Sequence, residues 1–188
     1  KFLADYKRIP GTYLAMQAEG REWMDLFTRE SIEQFDYVIT DSMTVTDFHG
    51  QRMRLWMEDE TTVGNPEEFM EMLVSRIEKI MSSEMLDIYV NPTFLPAELQ
   101  DRYDELWTES RMNKVINALA ENNIAMEINA VRRIPSLKFV SGAKRKGVKF
   151  TFGTNNKGSE DLFDPSYWLE AIDKCGLTPD DMWSPDND

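Results

Sequence analysis

Gly147-Val148-Lys149-Phe150-Thr151-Phe152-Gly153-Thr154-Asn155-Asn156-Lys157-Gly158 reads as a helix stop, a short strand and a polar loop. Gly147 can supply the left-handed conformation that ends a helix. Val148, Phe150 and Phe152 alternate with Lys149 and Thr151 at the strand period of two. Gly153 breaks the alternation, and Thr154 to Lys157 crowd polar groups at the carboxyl end of the strand. In a parallel α/β sheet or barrel, that end is where ligands bind.

The same unit recurs outward from this stretch. Upstream, Ser136 caps a basic helix over 137–146, and Ile124 to Asn129 is a strand that ends polar. Thr108 opens a helix whose apolar stripe is Met112, Val115, Ile116 and Leu119. Leu86 to Val90 is a strand closed by Asn91-Pro92-Thr93, and Asn65-Pro66 starts the helix before it. Asp36 to Thr40 is a strand running into Asp41-Ser42, with a short helix capped by Thr28 ahead of it, and Thr12 to Ala18 is a strand running into Glu19. Downstream, Asp164-Pro165 starts a helix that Gly176 stops. Residues 43–64 lack a clean period and read as a long loop with a hairpin. Residues 96–107 are mixed, with a helical turn or two, and Lys1 to Arg8 reads as the end of a helix.

Strand–helix alternation of this kind predicts an α/β fold, a parallel sheet or barrel with helices outside. Nothing marks a domain boundary, so residues 1–188 read as one domain. The strands are too few for a closed eight-stranded barrel, which takes about 250 residues. Either the sheet is open or strands before Lys1 are missing, and the clipped amino terminus favours the second.

A net charge of −13 disfavours binding to nucleic acid, because phosphates would be repelled. No apolar run approaches the roughly 20 residues of a membrane-spanning helix. Cys175 is the lone cysteine, so an internal disulfide is excluded; a reducing, cytoplasmic compartment is expected.

Parallel strands would gather Glu19, Asp41, Asn91, Glu127, Asn129, Asn155 and Asn156 on one rim. Oxygen-rich rims suit hard cations or hydroxyl-bearing ligands. Asp and Asn are also common in such loops simply because they cap helices. Glu127 is the exception, since it lies within an apolar strand, where a carboxylate is costly unless paired or bound. Lys157 and Arg132 are placed to meet an anion. His49, the only histidine, stands in a loop beside Gly50, so an imidazole-rich metal site is not available. There is no phosphate-cradling loop, dinucleotide-binding glycine pattern or nucleophile elbow.

The rim motifs resemble those of the polymerase-and-histidinol-phosphatase (PHP) domains, relatives of the amidohydrolase-like metal-dependent hydrolases. Asp87-Ile88-Tyr89-Val90-Asn91-Pro92 resembles the family's Asp-Ile-x-x-His-Pro strand. Met126-Glu127-Ile128-Asn129 resembles its Leu-Glu-Ile-Asn strand, and Asp36-Tyr37-Val38-Ile39 its Asp-Tyr-Val-Ile strand. Gly147 through Lys157 resembles the late strand ending Gly-Ser-Asp-Ala-His, and Glu19 falls where a metal-binding glutamate follows the third strand. The resemblance implies a TIM-barrel-like fold of seven or eight βα units, with the first strands outside this chain. It departs at the metal ligands: Asn91 replaces a histidine, and Asn155 and Lys157 replace an Asp-x-His pair. What remains is a degenerate site for at most one divalent ion, zinc, manganese or magnesium, on Glu19, Asp41 or Glu127 with ligands from the missing first strands.

Two functions follow. One is a metal-dependent hydrolase of a phosphoester or amide, in which metal-activated water attacks. Asp41, Glu127 and Lys157 would serve the chemistry, while Asn91, Asn129, Arg132, Asn155 and Asn156 hold a small polar or anionic substrate. The other is a catalytically degenerate barrel that binds a small polar ligand. A weaker third is a metal-independent lyase or isomerase with Glu127 as base and Lys157 as acid. A homo-oligomer is compatible with each.

Overall fold

The computed structural model describes residues 10–20, 23–47, 49–155 and 164–185. Five strands form one parallel sheet: β1 (Ala15–Ala18), β2 (Tyr37–Thr40), β5 (Ile88–Tyr89), β6 (Ala125–Asn129) and β7 (Phe150–Gly153), paired in that order. The segment read as a loop with a hairpin holds a separate two-stranded antiparallel ribbon, β3 (Thr44–Thr46) with β4 (Arg52–Arg54). The helix stripes fold as α1 (Pro66–Ser83), α2 (Glu109–Glu121), α3 (Leu137–Arg145) and α4 (Ser166–Cys175). The expected end of a helix over Lys1 to Arg8 lies outside the described residues.

Local chemistry sets the helix ends. The Asn65 side chain accepts from the Glu67 and Glu68 N–H groups, with Pro66 at the first helical position. Thr28, Thr108 and Ser136 accept in the same way at their helix starts. Gly147 (φ +79°) and Gly176 (φ +64°) take the left-handed turns after α3 and α4. Residues 96–107 hold two single-turn helices, Ala97–Gln100 and Tyr103–Leu106.

The sheet has two different faces. Tyr89, Met126, Ile128 and Phe150 join the main core with the apolar stripes of the four helices. Each helix packs on the next, α1 on α2, α2 on α3 and α3 on α4. The alternate residues Tyr37, Ile39, Ile88, Val90 and Ala125 form a second apolar cluster with Trp183 on the opposite face. A strand order that follows chain order keeps the helices on one side; a doubly wound sheet would reverse it. The chain turns back beside β7, where Met182 bridges Phe150 in parallel and the Trp183 N–H donates to the Phe150 carbonyl. The barrel-like expectation therefore corresponds, among the described residues, to a singly wound parallel sheet.

Candidate functional site

The face that turns away from the helices carries the polar residues at its carboxyl end. Glu127 and Asn129 follow Ala125 at every second position of β6, and Asp41 follows Tyr37 and Ile39 in the same way. One residue past the Ala18–Thr40 pair, Glu19 and Asp41 leave β1 and β2 side by side. Asn91 and Asn155 follow β5 and β7. The parallel register thus brings Glu19, Asp41, Asn91, Glu127, Asn129, Asn155 and Arg132 to one rim. Asn156 and Lys157 lie outside the described residues.

Asn91 is the hub of this rim. It is buried and left-handed (φ 47°), a conformation asparagine tolerates better than most residues. Its N–H donates to Glu127 Oε2 at 2.6 Å. Its Oδ1 accepts from Asn155 Nδ2 at 2.7 Å and from Asn129 Nδ2 at 3.4 Å. Its side-chain amide also hydrogen-bonds to Asp41. A carboxamide can donate and accept at once, so one side chain ties four strand ends together.

Both buried carboxylates are pushed towards their neutral forms. Burial raises Asp41 to about 6, helped by the like charges of Glu19 and Glu127, while the Met43 N–H and the Asn91 amide pull it back. Burial also raises Glu127, and hydrogen bonds from Asn91 and Asn129 and the charge of Arg132 oppose this. Glu127 is seated over Gly153: a Cβ there would stand 1.6 Å from its Oε1. Glu19 is exposed, and its Oε1 accepts from the Thr44 hydroxyl.

Arg132 is the cation of the rim among the described residues. Its N–H donates to Asn129 Oδ1, and its guanidinium lies 4.6 Å from the Phe94 ring centre. Burial lowers its pKa while the Glu127 and Asp41 carboxylates raise it. Beside it opens a cavity of about 770 Å³ between the loops after β5 and β6, reaching Thr93, Tyr103 and Asn155.

Sequence reasoning missed the hydroxyls around the rim. Tyr89, fully buried, hydrogen-bonds to Ser42 next to Asp41, and Thr93 pairs with Tyr103. A tyrosine on the helix-facing side of β5 carries no signal of this in its strand period. His49 is exposed in the β3–β4 turn. Trp107 is core, Trp168 stacks on Phe152, and Trp56 is exposed. Cys175 packs against Ser141 and Leu137.

Among the described residues no three His, Cys, Asp or Glu side chains gather to hold a metal ion. Zinc sites draw on imidazole and thiolate, so this donor set does not fit a zinc centre of three protein ligands. Carboxylates and amide oxygens fit a harder ion better. Among the described residues no helix is long and apolar enough to cross a membrane.

No family model and no curated protein matches this sequence. Among solved structures the fold is similar to histidinol phosphate phosphatase from Lactococcus lactis subsp. lactis, complexed with zinc, L-histidinol and phosphate. The TM-score is 0.50 at 14% identity, over 77% of this chain and 58% of that one. The likeness is one of fold, and this chain spans little more than half the length of the phosphatase.

Proposed function

We propose that this domain binds a small polar or anionic ligand, of the phosphoester class, at the carboxyl rim of its sheet. One observation carries the reading. The rim's carboxylates and amides are committed to one another through Asn91, whereas Arg132, among the described residues, has no hydrogen bond or ion pair on its guanidinium and stands at the mouth of the cavity. A guanidinium held by stacking keeps its fork of donors for an incoming anion. Asn155, beside the same cavity, gives its amide N–H to Asn91 and keeps its carbonyl oxygen for the ligand, and Asn156, next in the sequence, would add a second amide.

A second reading is favoured by Asp41 and Glu127. Two buried carboxylates with raised pKa values are what a divalent cation relieves, and the fold is similar to that of a phosphatase. Under this reading the two carboxylates Asp41 and Glu127 would hold one manganese or magnesium ion, with the remaining positions taken by water and by oxygens of the ligand. The ion would supply charge to a phosphoester hydrolysis. Asn91 and Asn129 would keep Glu127 oriented, Arg132 would neutralise the phosphate, and Lys157 would add a second positive charge.

Calorimetric titration with inorganic phosphate, in EDTA and then in manganese, tests both readings, alongside a phosphoester hydrolysis panel. Saturable binding in EDTA without turnover supports the first. Turnover that appears only with manganese transfers the conclusion to the second, and no binding under any condition removes both.

A further inference from the structure

We infer that the ligand is a phosphorylated polyol or sugar: its anion meets Arg132, and its hydroxyl-bearing body fills the cavity against Gln100, Tyr103 and Asp104. The inference rests on the anion-binding reading above and adds the chemistry of the rest of the molecule. Size comes first. A cavity of about 770 Å³ falls in the range that encloses a whole organic ligand, far more than a bare phosphate occupies.

The wall chemistry comes second. Phe94, under the Arg132 guanidinium, gives the mouth an apolar floor. Around the rest of the cavity the polar groups are mostly neutral. Thr93 and Tyr103 share a hydrogen bond, and Tyr103 also accepts from the Ser136 N–H at 3.3 Å. Gln100 donates to the Leu95 carbonyl at 3.2 Å, which leaves its own carbonyl oxygen to accept. Among the described residues two carboxylates reach the cavity. Glu170 is paired to Arg133 at 2.7 Å, whereas Asp104 has no ion pair or hydrogen bond among the described residues. One unpaired acceptor carboxylate, an amide oxygen and hydroxyls form a surface for ligand O–H donors. A cationic body would find a single free charge there, offset by Arg132 on the same wall, since Arg133 and Glu170 already neutralise each other.

The test is calorimetric titration of the whole chain, in EDTA, with inorganic phosphate, glucose 6-phosphate, ribose 5-phosphate and O-phosphoethanolamine. At least one sugar phosphate is expected to bind about tenfold or more tighter than phosphate, the scale of one hydrogen bond to a charged group. Asp104→Ala is expected to narrow that ratio to less than about threefold, with a circular dichroism spectrum unchanged from the parent. Sugar phosphates that bind no tighter than phosphate overturn this inference and leave the anion-binding reading standing. Tighter binding of O-phosphoethanolamine also overturns it, in favour of a cationic body. Failure of every probe, phosphate included, overturns the reading beneath it as well.

Discussion

Gly153→Ala tests the packing on which the rim depends. Gly153 is outside the left-handed region, so alanine is conformationally acceptable and the effect must come from space. The new Cβ would stand 1.6 Å from Glu127 Oε1, 2.5 Å from its Cδ and 2.8 Å from its Cγ. The carboxylate therefore has to leave. Leaving breaks its 2.6 Å bond from the Asn91 N–H and strands that donor in a buried position, at about 1–3 kcal/mol. Repacking around the added methyl costs about 1–3 kcal/mol more. Alanine returns about 0.4–1 kcal/mol through the unfolded chain. The net expectation is a loss of about 1–6 kcal/mol, and its centre near 3 kcal/mol lowers Tm by roughly 6–12 °C for a chain of this size. Urea and thermal denaturation at neutral pH measure it. The double variant Gly153→Ala/Glu127→Ala supplies the control: once the carboxylate is gone the new Cβ meets little, so the two changes must be strongly non-additive. A Gly153→Ala protein within about 0.5 kcal/mol of the parent, or simple additivity in the double variant, would refute the argument.

Other perturbations address the charges. Asp41 is raised from 3.8 to about 6, so between those values the folded chain holds more proton than the unfolded one, and stability falls as pH rises through the window. Asp41→Asn is therefore expected to raise stability at pH 7–8, by an upper limit of about 3 kcal/mol, and to flatten the Tm profile between pH 4 and 6; an unchanged profile would dispose of the assignment. Arg132→Met is expected to weaken phosphate binding by about tenfold or more while changing stability by under about 1 kcal/mol, since the side chain is exposed and stacked only on Phe94. Equal affinity in parent and variant removes Arg132 from the site. Arg111 bridges α1 and α2, with a side chain only 6% exposed that meets Glu67, Glu71 and the Leu106 carbonyl. Arg111→Ala is expected to cost about 2–3 kcal/mol in urea denaturation, mostly by stranding that buried carbonyl and losing the stem's packing, with phosphate affinity unchanged.

The four long helices and the strands that alternate with them were legible in the sequence, because caps and periods are local. Asn65-Pro66, Thr108, Ser136 and Gly176 each act within a few residues of themselves, and they mark the same boundaries in the structure. The period of two put Glu127 and Asn129 on one face of β6, and the alternation of elements put their strand ends on one rim. What the sequence could not carry was partnership across strands. Asn91 as the shared partner of Glu127, Asn129, Asn155 and Asp41 depends on a left-handed backbone and on the parallel register of separate βα units, neither of which any neighbouring residue specifies. The vacancy above Gly153 has the same origin. As a sequence feature the glycine only breaks a strand pattern; its lack of a side chain acquires meaning when β6 lies beside β7 and a carboxylate needs the room. Local periodicity and capping thus chose the elements, while the cavity, the exposure of Arg132 and the raised pKa of Asp41 came into being only with their packing, because burial and distance are properties of the assembled chain.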